Sequence, residues 1–310
     1  MKANDSIDKL FFKRKDIVAE MINVGFGGGR TLVRPEDVEF IETEYIVAVK
    51  DRDDKVISKK RIRDIMCNIS GVDLGGRKFR ARFGLECQSY QTRLMPLRAA
   101  EYDCMDFIEQ KRGVWCGKGR RRRFIPCYTL VINTSGRPWK RPTSLGSLCE
   151  YRPDFLVGFL LSYNMLLFDL FNIPPEIKKL LCTDLKYVVH CIDLMGDPVK
   201  LLDYITNGLP KDLAEETANF ICRIVNIEIP DNCKIPRNEG ETTVCYAARV
   251  WRKEAMMAGW KEGRAEGKIE GRAENRQVVF RNAIKLGLSQ ESIQSLLNIS
   301  ADEYMRLLAL

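Results

Sequence analysis

The sequence predicts an α/β protein in which a mixed central sheet is flanked by helices and a helical extension follows at the C-terminal end. Segments rich in β-branched and aromatic residues occur in the order strand, strand, helix, strand, which is typical of a mixed α/β fold. From residue 246 onward the chain changes to a Glu-Gly-Arg/Lys repeat and then to short helical segments. These observations place the sheet in the N-terminal part of the chain.

The elements follow in order along the chain. The segment 5–23 has the apolar spacing of an amphipathic helix. Strands are predicted at EYIVAVK, VISKKRIRDIMCNIS and RKFRARFGLECQS, with the turn sequences DRDD and GVDLGG between them. A helix is predicted over 92–110, with Pro96 in its first turn, where no amide hydrogen is needed. FIPCYTLVINT is apolar on both faces and is therefore predicted to be a central strand.

The most apolar run is FLVGFLLSYNMLLF at 155–168. It is short for a membrane span, so we interpret it as a buried strand or core helix and predict no membrane association. Helices are predicted after residue 175. The predicted organisation is an α/β domain over 1–245 with a helical subregion at about 175–245, a repeat helix over 246–275 and a small helical tail over 276–310.

The repeat GWKEGRAEGKIEGRAEN carries a glycine every four residues, so that on a helix the glycines form a slowly winding stripe. Such a stripe lets a second helix approach closely, which predicts a homo-oligomer joined through this helix; a solvated linker helix is the alternative. In the tail, LSQES and ISADEY have the pattern of capped helix starts. The two short helices there resemble a helix-turn-helix, and a helical bundle without DNA contact is an equal alternative.

The net charge of the chain is +8, from 50 lysines and arginines and 42 aspartates and glutamates. A basic balance favours a polyanionic partner, most simply nucleic acid. The 11 cysteines form no CxxC pair and lack zinc-ligand spacing, and the polar start MKANDSIDKLFFKRKD lacks a signal-peptide core. These features predict reduced thiols and a cytoplasmic location. The only histidine, His190, is interpreted as a packed core residue. A single histidine in the chain argues against nucleases built on several histidines and against Ser-His-Asp hydrolases.

The stretch GLECQS carries the candidate chemistry. Glu86 and Gln88 lie two residues apart on a predicted strand and so face the same way, and the turn GVDLGG can bring Asp64 alongside. Two carboxylates held together repel unless a cation lies between them. Mg²⁺ (or Mn²⁺) prefers oxygen ligands, and the Cys87 backbone carbonyl can supply a further one. With Gln88 orienting a water or the scissile phosphate, the set predicts a metal-dependent phosphodiesterase; two unrelated edge-strand charges are the alternative.

The segments RIRDIMCNI, FGLECQSYQTRLMPLRAAEYD, IPCYTLVINT and PWKRPTSL, followed by the Glu-Gly repeat, resemble the PD-(D/E)XK nuclease-family transposases, also called recombination-promoting nucleases. The resemblance implies a PD-(D/E)XK restriction-endonuclease-like core. It implies that Asp64 and Glu86 hold the metal ion and that Gln88 stands at the third motif position, where the broader superfamily has lysine. With glutamine there, a fixed positive charge near the phosphate is lost, so slow turnover is expected.

The resemblance also implies roles for residues outside this strand pair. Arg98 and Tyr102, one helical turn apart on the predicted helix, match an arginine and a tyrosine of the family. Arg98 is expected to contact a phosphate or to pair with an acid, and Tyr102 is assigned to nucleic-acid binding. Glu20, on the first helix, matches an additional acid that would hold metal or water; a surface glutamate is the alternative.

The basic stretch KGRRRR is predicted to form a loop beside the active-site sheet, and a solvated loop is the alternative. Its cations would contact the DNA backbone without reading sequence, through Lys118, Arg120, Arg121, Arg122 and Arg123. The sequence therefore predicts a Mg²⁺-dependent DNA endonuclease that acts in recombination or transposition of mobile elements. The alternatives are a non-catalytic DNA-binding or assembly protein that retains the fold, and a defence or toxin-like nuclease that uses the same site.

Overall fold

The computed structural model describes residues 2–41, 44–50, 56–115, 123–150, 163–228 and 235–308. The chain divides into two compact units, Met1–Arg249 and Val250–Leu310. The described strands are β1 (Val38–Phe40), β2 (Glu44–Lys50), β3 (Val56–Ile62), β4 (Ile65–Val72), β5 (Lys78–Gln88), β6 (Cys127–Asn133) and β7 (Leu166–Asp169). The described helices are α1 (Lys2–Phe12), α2 (Lys15–Gly25), α3 (Met95–Trp115), α4 (Pro175–Lys178), α5 (Leu185–Asp193), α6 (Pro198–Asp203), α7 (Glu215–Ile224), α8 (Thr243–Lys285), α9 (Gln290–Leu297) and α10 (Ala301–Leu308).

The first unit contains a five-stranded sheet in the order β1-β4-β5-β6-β7. The β1–β4 and β4–β5 pairs are antiparallel, whereas the β5–β6 and β6–β7 pairs are parallel. The strands β2 and β3 form a separate antiparallel pair. The predicted α/β fold with a mixed central sheet is therefore confirmed.

Helices cover both faces of this sheet. In β5, Leu85 and Cys87 face a large apolar core to which α1, α2, α5 and α7 contribute. The opposite face packs against α3, where Met66 contacts Tyr102 and Val131 contacts Ala99. Because side chains alternate along a strand, Glu86 and Gln88 lie on the α3 face. The site residues are thus held between the sheet and a single helix.

Two predicted elements are divided in the structure. The segment 5–23, predicted as one helix, forms α1 and α2, because Arg14 adopts an extended backbone between them and its guanidinium binds Asp16 and Asp184. The predicted strand VISKKRIRDIMCNIS is broken between β3 and β4 at Arg63 and Asp64. The break follows from the burial of the Arg63 side chain, which leaves the line of the strand to reach carboxylates on α3.

Arg63 is the centre of a buried polar cluster that joins β4, α3 and β6. Its Nη2 atom lies 3.3 Å from Asp103 Oδ1 and 2.8 Å from Asp106 Oδ2, and its Nη1 atom donates to Thr129 Oγ1 at 3.0 Å. The Tyr163 hydroxyl donates to Asp103 Oδ2 at 2.7 Å. A buried charge is stable only when such partners surround it, so the cluster fixes how α3 sits on the sheet.

The remaining helices complete the two units. The first turn of α8 packs its Val244 and Ala247 into the core of the first unit. In the second unit, Phe280 and Ala283 of α8 pack with Ile293 and Ile299. The Glu-Gly repeat lies within α8, where the side chains of residues 256, 257 and 260 are exposed. Within the described ranges, no helix has the length and apolar character that crossing a membrane requires.

Three further predictions can be compared with the structure: the two helix starts near the C-terminal end, the position of His190 and the apolar run at 155–168. The predicted starts at LSQES and ISADEY are confirmed, because Ser289 accepts from the Ser292 amide and Ser300 accepts from the Glu303 amide. The interpretation of His190 as a packed core residue is wrong, since the ring is exposed on α5 and contacts Tyr204 edge-on. Of the apolar run at 155–168, residues 155–162 lie outside the described residues, and its end forms β7.

We predict that Gly84→Ala destabilises the protein by about 3 kcal/mol, the upper end of the usual cost of overpacking. A Cβ atom at Gly84 would lie 1.5 Å from Arg63 Nη1, and the guanidinium cannot move without losing its buried partners. Urea denaturation followed by circular dichroism measures the change. Gly196→Ala is the matched control, because a Cβ atom there meets nothing within 4 Å. Equal stability of the two variants would contradict the role given to the Arg63 cluster.

Candidate active site

Asp64 and Glu86 meet where β4 begins and β5 ends. The antiparallel register pairs Ile65 with Leu85, so Asp64, one residue earlier, stands opposite Glu86 on the same face of the sheet. The Cys87 amide donates to Asp64 Oδ2 at 3.0 Å, which fixes the Asp64 carboxylate against the end of β5. The structure therefore brings together the two carboxylates that the sequence singles out.

Glu86 is a fully buried carboxylate that pairs with Arg98. Its Oε2 atom lies 2.9 Å from Arg98 Nη2, whereas its buried Oε1 atom accepts no hydrogen bond from the described residues. Burial, followed by repulsion from the Asp64 carboxylate, raises the pKa of Glu86 to about 7, although Arg98 and Arg63 act in the opposite direction. The environment therefore favours the protonated form of Glu86 more than water does.

Gln88 adds a second buried oxygen on the same face. The residue is 3 % exposed, and its Oε1 atom also accepts no hydrogen bond in the described part of the chain. Buried polar atoms are paired in the great majority of cases, so two such acceptors two residues apart need a physical reason. A cation, or a water held by a cation, would satisfy both of them.

Arg98 and Tyr102 form one unit on α3. The Arg98 guanidinium lies 3.3 Å from the Tyr102 hydroxyl through Nη2, and its Cζ atom lies 5.5 Å from the centre of the Tyr102 ring. Tyr102 is buried against Met66, and burial, with Glu86 as the next cause, raises the pKa of its hydroxyl. The assignment of Tyr102 to nucleic-acid contact is therefore corrected, because this buried ring positions Arg98 instead.

The structure adds a residue that the sequence reasoning missed. Lys9 Nζ, from α1, lies 3.0 Å from Asp64 Oδ1. The adjacent residue, Asp8, is buried and binds Arg223 at 2.8 Å and the Thr134 hydroxyl at 3.0 Å, which fixes α1 beside the end of β6. No motif or spacing in the chain links a lysine of the first helix to Asp64, so no sequence signal was available.

Glu20 does not join this site. Its carboxylate accepts hydrogen bonds from the Cys182 amide at 2.5 Å and the Thr183 amide at 2.9 Å, and from the Thr183 hydroxyl. These contacts tie α2 to the segment that precedes α5. The expectation that Glu20 holds metal or water is corrected for this reason, since its oxygens are already used in a structural contact.

The Cys87 main chain faces the Asp64 side of β5. Its amide binds Asp64, and because the amide and carbonyl of one strand residue point toward the same neighbouring strand, the carbonyl has the same orientation. The Cys87 side chain lies in the apolar core on the other face. The main-chain role predicted for Cys87 is compatible with this arrangement.

One residue of the predicted basic loop, Arg123, lies within the described residues. Residues Lys118, Arg120, Arg121 and Arg122 lie outside the described residues, and the exposed Arg123 precedes β6. The start of β6 pairs with Arg82, whereas its end pairs with Gln88, about 20 Å away along the strands. Arg123 therefore stands at the end of the sheet opposite to the carboxylates, and the contact of this loop with DNA stays a prediction.

The donor set at this site fits a hard divalent cation. Among the described residues, no group of three or more His, Cys, Asp and Glu side chains is arranged to hold a metal ion. Mg²⁺, however, is commonly bound through one or two carboxylates and completes its coordination with water and substrate phosphate. Asp64 and Glu86 supply the two carboxylates, and the buried acceptor atoms of Glu86 and Gln88 are oxygens without a donor.

Comparison of the chain with protein-family models, with curated proteins and with solved structures gives no match. The fold and the site themselves define an α/β protein in which two carboxylates, the fully buried Glu86 and the partly buried Asp64, meet at the end of the central sheet.

We predict that Glu86→Gln makes the metal-free protein more stable than the wild type above pH 7 and leaves the two alike near pH 5. A carboxyl group whose pKa is raised on folding stabilises the native state below its unfolded pKa and loses that contribution as the pH rises through the folded value of about 7. The difference in unfolding free energy should grow by on the order of 2 kcal/mol between pH 5 and pH 8.

Urea denaturation in EDTA at several pH values measures this difference. Glu176→Gln is the control, because Glu176 is an exposed carboxylate on α4. A difference between Glu86→Gln and wild type that stays constant from pH 5 to pH 8 would show that Glu86 is not held in this environment.

Proposed function

We propose that this protein is a metal-dependent DNA endonuclease of the PD-(D/E)XK type that hydrolyses phosphodiester bonds. The observation that carries the proposal is the meeting of Asp64 and Glu86 on paired strands, with buried oxygens of Glu86 and Gln88 that lack donors. The order of motifs along the chain, which resembles the recombination-promoting nucleases, supports the same assignment. The positive net charge of +8 is consistent with a polyanionic substrate.

Each residue has a distinct part in this proposal. Asp64, Glu86 and Gln88 would hold Mg²⁺ or Mn²⁺, which when bound lowers the pKa of a water molecule and neutralises charge on the phosphate. Arg98 favours the ionised form of Glu86, because its guanidinium lowers the pKa that burial raises. Tyr102 holds Arg98 in that position.

Lys9 supplies the positive charge that Gln88 cannot. The resemblance to the PD-(D/E)XK nucleases implies that Gln88 stands where the broader superfamily has lysine, and an amide carries no charge. The Lys9 ammonium stands 3.0 Å from Asp64, at the same site but from a different element. A fixed cation there would stabilise the negative charge that develops on the phosphate during hydrolysis.

A second candidate is a DNA-binding or assembly protein without turnover. The observation that favours it is that Lys9 pairs with Asp64 and Arg98 pairs with Glu86, so each carboxylate already has a cationic partner. In such a protein the pairs would serve stability alone. Cleavage that depends on metal separates the two candidates.

We predict that the protein nicks supercoiled plasmid in Mg²⁺ or Mn²⁺ and that Asp64→Asn and Glu86→Gln each lower the rate by at least about 100-fold. Both variants keep the shape of the side chain and remove its charge. Agarose-gel densitometry gives the rates, and Glu176→Gln is the control. Wild-type protein that binds DNA without nicking it would favour the second candidate, and nicking that survives both substitutions would move the active site elsewhere.

We predict that Lys9→Met lowers the nicking rate by about 100-fold while duplex DNA affinity in EDTA changes little, because the lost charge acts on the reacting phosphate. Lys9→Arg should recover part of the rate. Lys13→Met, at an exposed lysine just after α1, is the matched control. A nicking rate in Lys9→Met equal to that of Lys13→Met would assign Lys9 a purely structural role.

A further inference from the structure

The loop that follows β6 lies at the same end of the sheet as the two carboxylates. Strands β5 and β6 are parallel and end side by side, and the amide of Thr134, the first residue after β6, donates to the Gln88 carbonyl at 3.0 Å. In open α/β sheets, ligands bind outside the carboxyl ends of the parallel strands. We call residues 134–144 the Trp139 loop.

Trp139 also places this loop on the face of the sheet that carries the candidate site. Its ring packs against a small apolar cluster that contains Met95 and Ala99, both near the beginning of α3. Arg98, whose guanidinium lies 2.9 Å from Glu86, directly precedes Ala99 on this helix. The Trp139 loop and the carboxylates therefore share one end and one face of the sheet.

The side chain of Gln91 fixes the main chain of the Trp139 loop. Its Nε2 atom donates to the carbonyl oxygens of Arg137 at 3.2 Å and Pro138 at 2.8 Å. Its Oε1 atom accepts from the Lys140 amide at 2.9 Å. Gln91 comes three residues after Gln88, and three residues span at most about 11 Å. These hydrogen bonds therefore hold the loop close to the end of β5.

Asp169, the last residue of β7, fixes the loop from the other side. Its Oδ2 atom accepts from the Trp139 amide at 2.7 Å, and its Oδ1 atom accepts from the Asn133 side chain at 2.7 Å. The buried Asn133 amide group also donates to the Arg137 carbonyl at 2.7 Å. The loop is thus organised by the ends of all three neighbouring strands, before any ligand is bound.

The charges of the Trp139 loop are left available to a ligand. The loop contains Arg137, Lys140 and Arg141 and no aspartate or glutamate. All three side chains are exposed, and none of them has a carboxylate within 4.0 Å in the part of the chain that the structure describes. The hydrogen bonds that fix the loop use its main chain, so they leave three positive charges on a fixed support.

We infer that the Trp139 loop binds the phosphate backbone of DNA beside the bond that is hydrolysed at Asp64 and Glu86. The inference rests on the proposed function for the identity of the polyanion. Contacts to phosphates position a nucleic acid without reading its sequence. Because the loop is already ordered, little conformational entropy is lost when it binds.

Binding in EDTA tests this inference without any need for cleavage. The variant Arg137→Gln/Lys140→Gln/Arg141→Gln removes three charges and keeps the main-chain contacts of the loop. Fluorescence anisotropy of the full chain with a labelled duplex of about 20 base pairs should give at least about tenfold lower affinity than for wild type. The slope of log affinity against log salt concentration should become shallower by about 2.7, which corresponds to three phosphate contacts.

A matched control removes the same charge elsewhere. Lys179→Gln/Lys186→Gln/Lys211→Gln substitutes three exposed lysines on or near the helices that follow β7, and it should leave the salt slope close to that of the wild type. An equal salt slope in the loop variant and the control would overturn the inference, since binding would then depend on net charge alone. Absence of duplex binding by the wild type would also overturn it.

Nicking of plasmid tests the placement of the contact beside the cleaved bond. At protein concentrations below saturation, the loop variant should nick more slowly than the wild type by about the factor by which its affinity falls. At saturating concentrations the two rates should converge, because the loop binds the backbone and takes no part in the chemistry. A loop variant that loses affinity but nicks at the wild-type rate when the protein is dilute would overturn this placement.

The two proposals fail in different ways. Absence of metal-dependent nicking by the wild type, together with a shallower salt slope in the loop variant, would refute the nuclease and leave the loop as a DNA contact. Nicking that needs Asp64 and Glu86, with a salt slope unchanged by the loop substitutions, would refute the loop contact alone. Circular dichroism of each variant confirms that the fold is intact.

Discussion

Burial of the Arg63 guanidinium is the constraint on which the candidate site depends. The side chain is fully buried, and leaving such a charge without partners costs several kcal/mol, so α3 must present Asp103 and Asp106 to it. Gly84 makes room for it, since any side chain there would overlap the guanidinium. The position of α3 on the sheet is therefore set by a charge and its partners as well as by apolar packing.

The same constraint positions two side chains of the candidate site, Asp64 and Arg98. Asp64 follows it directly in the chain and is turned toward the end of β5, where the Cys87 amide binds it. Arg98 lies just over one helical turn before Asp103 on α3, so the contacts that hold the helix also bring its guanidinium to 2.9 Å from Glu86. Arg63 and Arg98 both lower the pKa of Glu86, against burial and the Asp64 carboxylate. The buried Arg63 guanidinium thus fixes the position of α3 and also contributes to the electrostatics at Glu86.

The sequence could predict those features that depend on a local turn or on the periodicity of side chains along a strand or helix. The two-residue repeat of β5 and the turn GVDLGG were enough to bring Asp64, Glu86 and Gln88 together, because a hairpin fixes which residues stand opposite one another. The division of VISKKRIRDIMCNIS could not be predicted, since it depends on partners of Arg63 that lie on α3. Glu20 is a second case in which distant partners could not be predicted. Helical periodicity places it on a helix, but it does not predict that the Cys182 and Thr183 amides donate hydrogen bonds to its carboxylate.

Lys9 and Gln88 are best understood together. The metal-free site already contains two carboxylates and two cations, in the pairs Asp64–Lys9 and Glu86–Arg98. A lysine in place of Gln88 would add a third cation to this space and would oppose the binding of the divalent ion that the proposed function requires. A neutral amide avoids that repulsion and still offers an oxygen. The buried ion pair between Asp8 and Arg223 fixes α1, so the ammonium that reaches Asp64 comes from a rigid helix rather than from the strand. Under the proposed function, glutamine at position 88 is thus compatible with a charged site, because the charge is carried by Lys9 of α1.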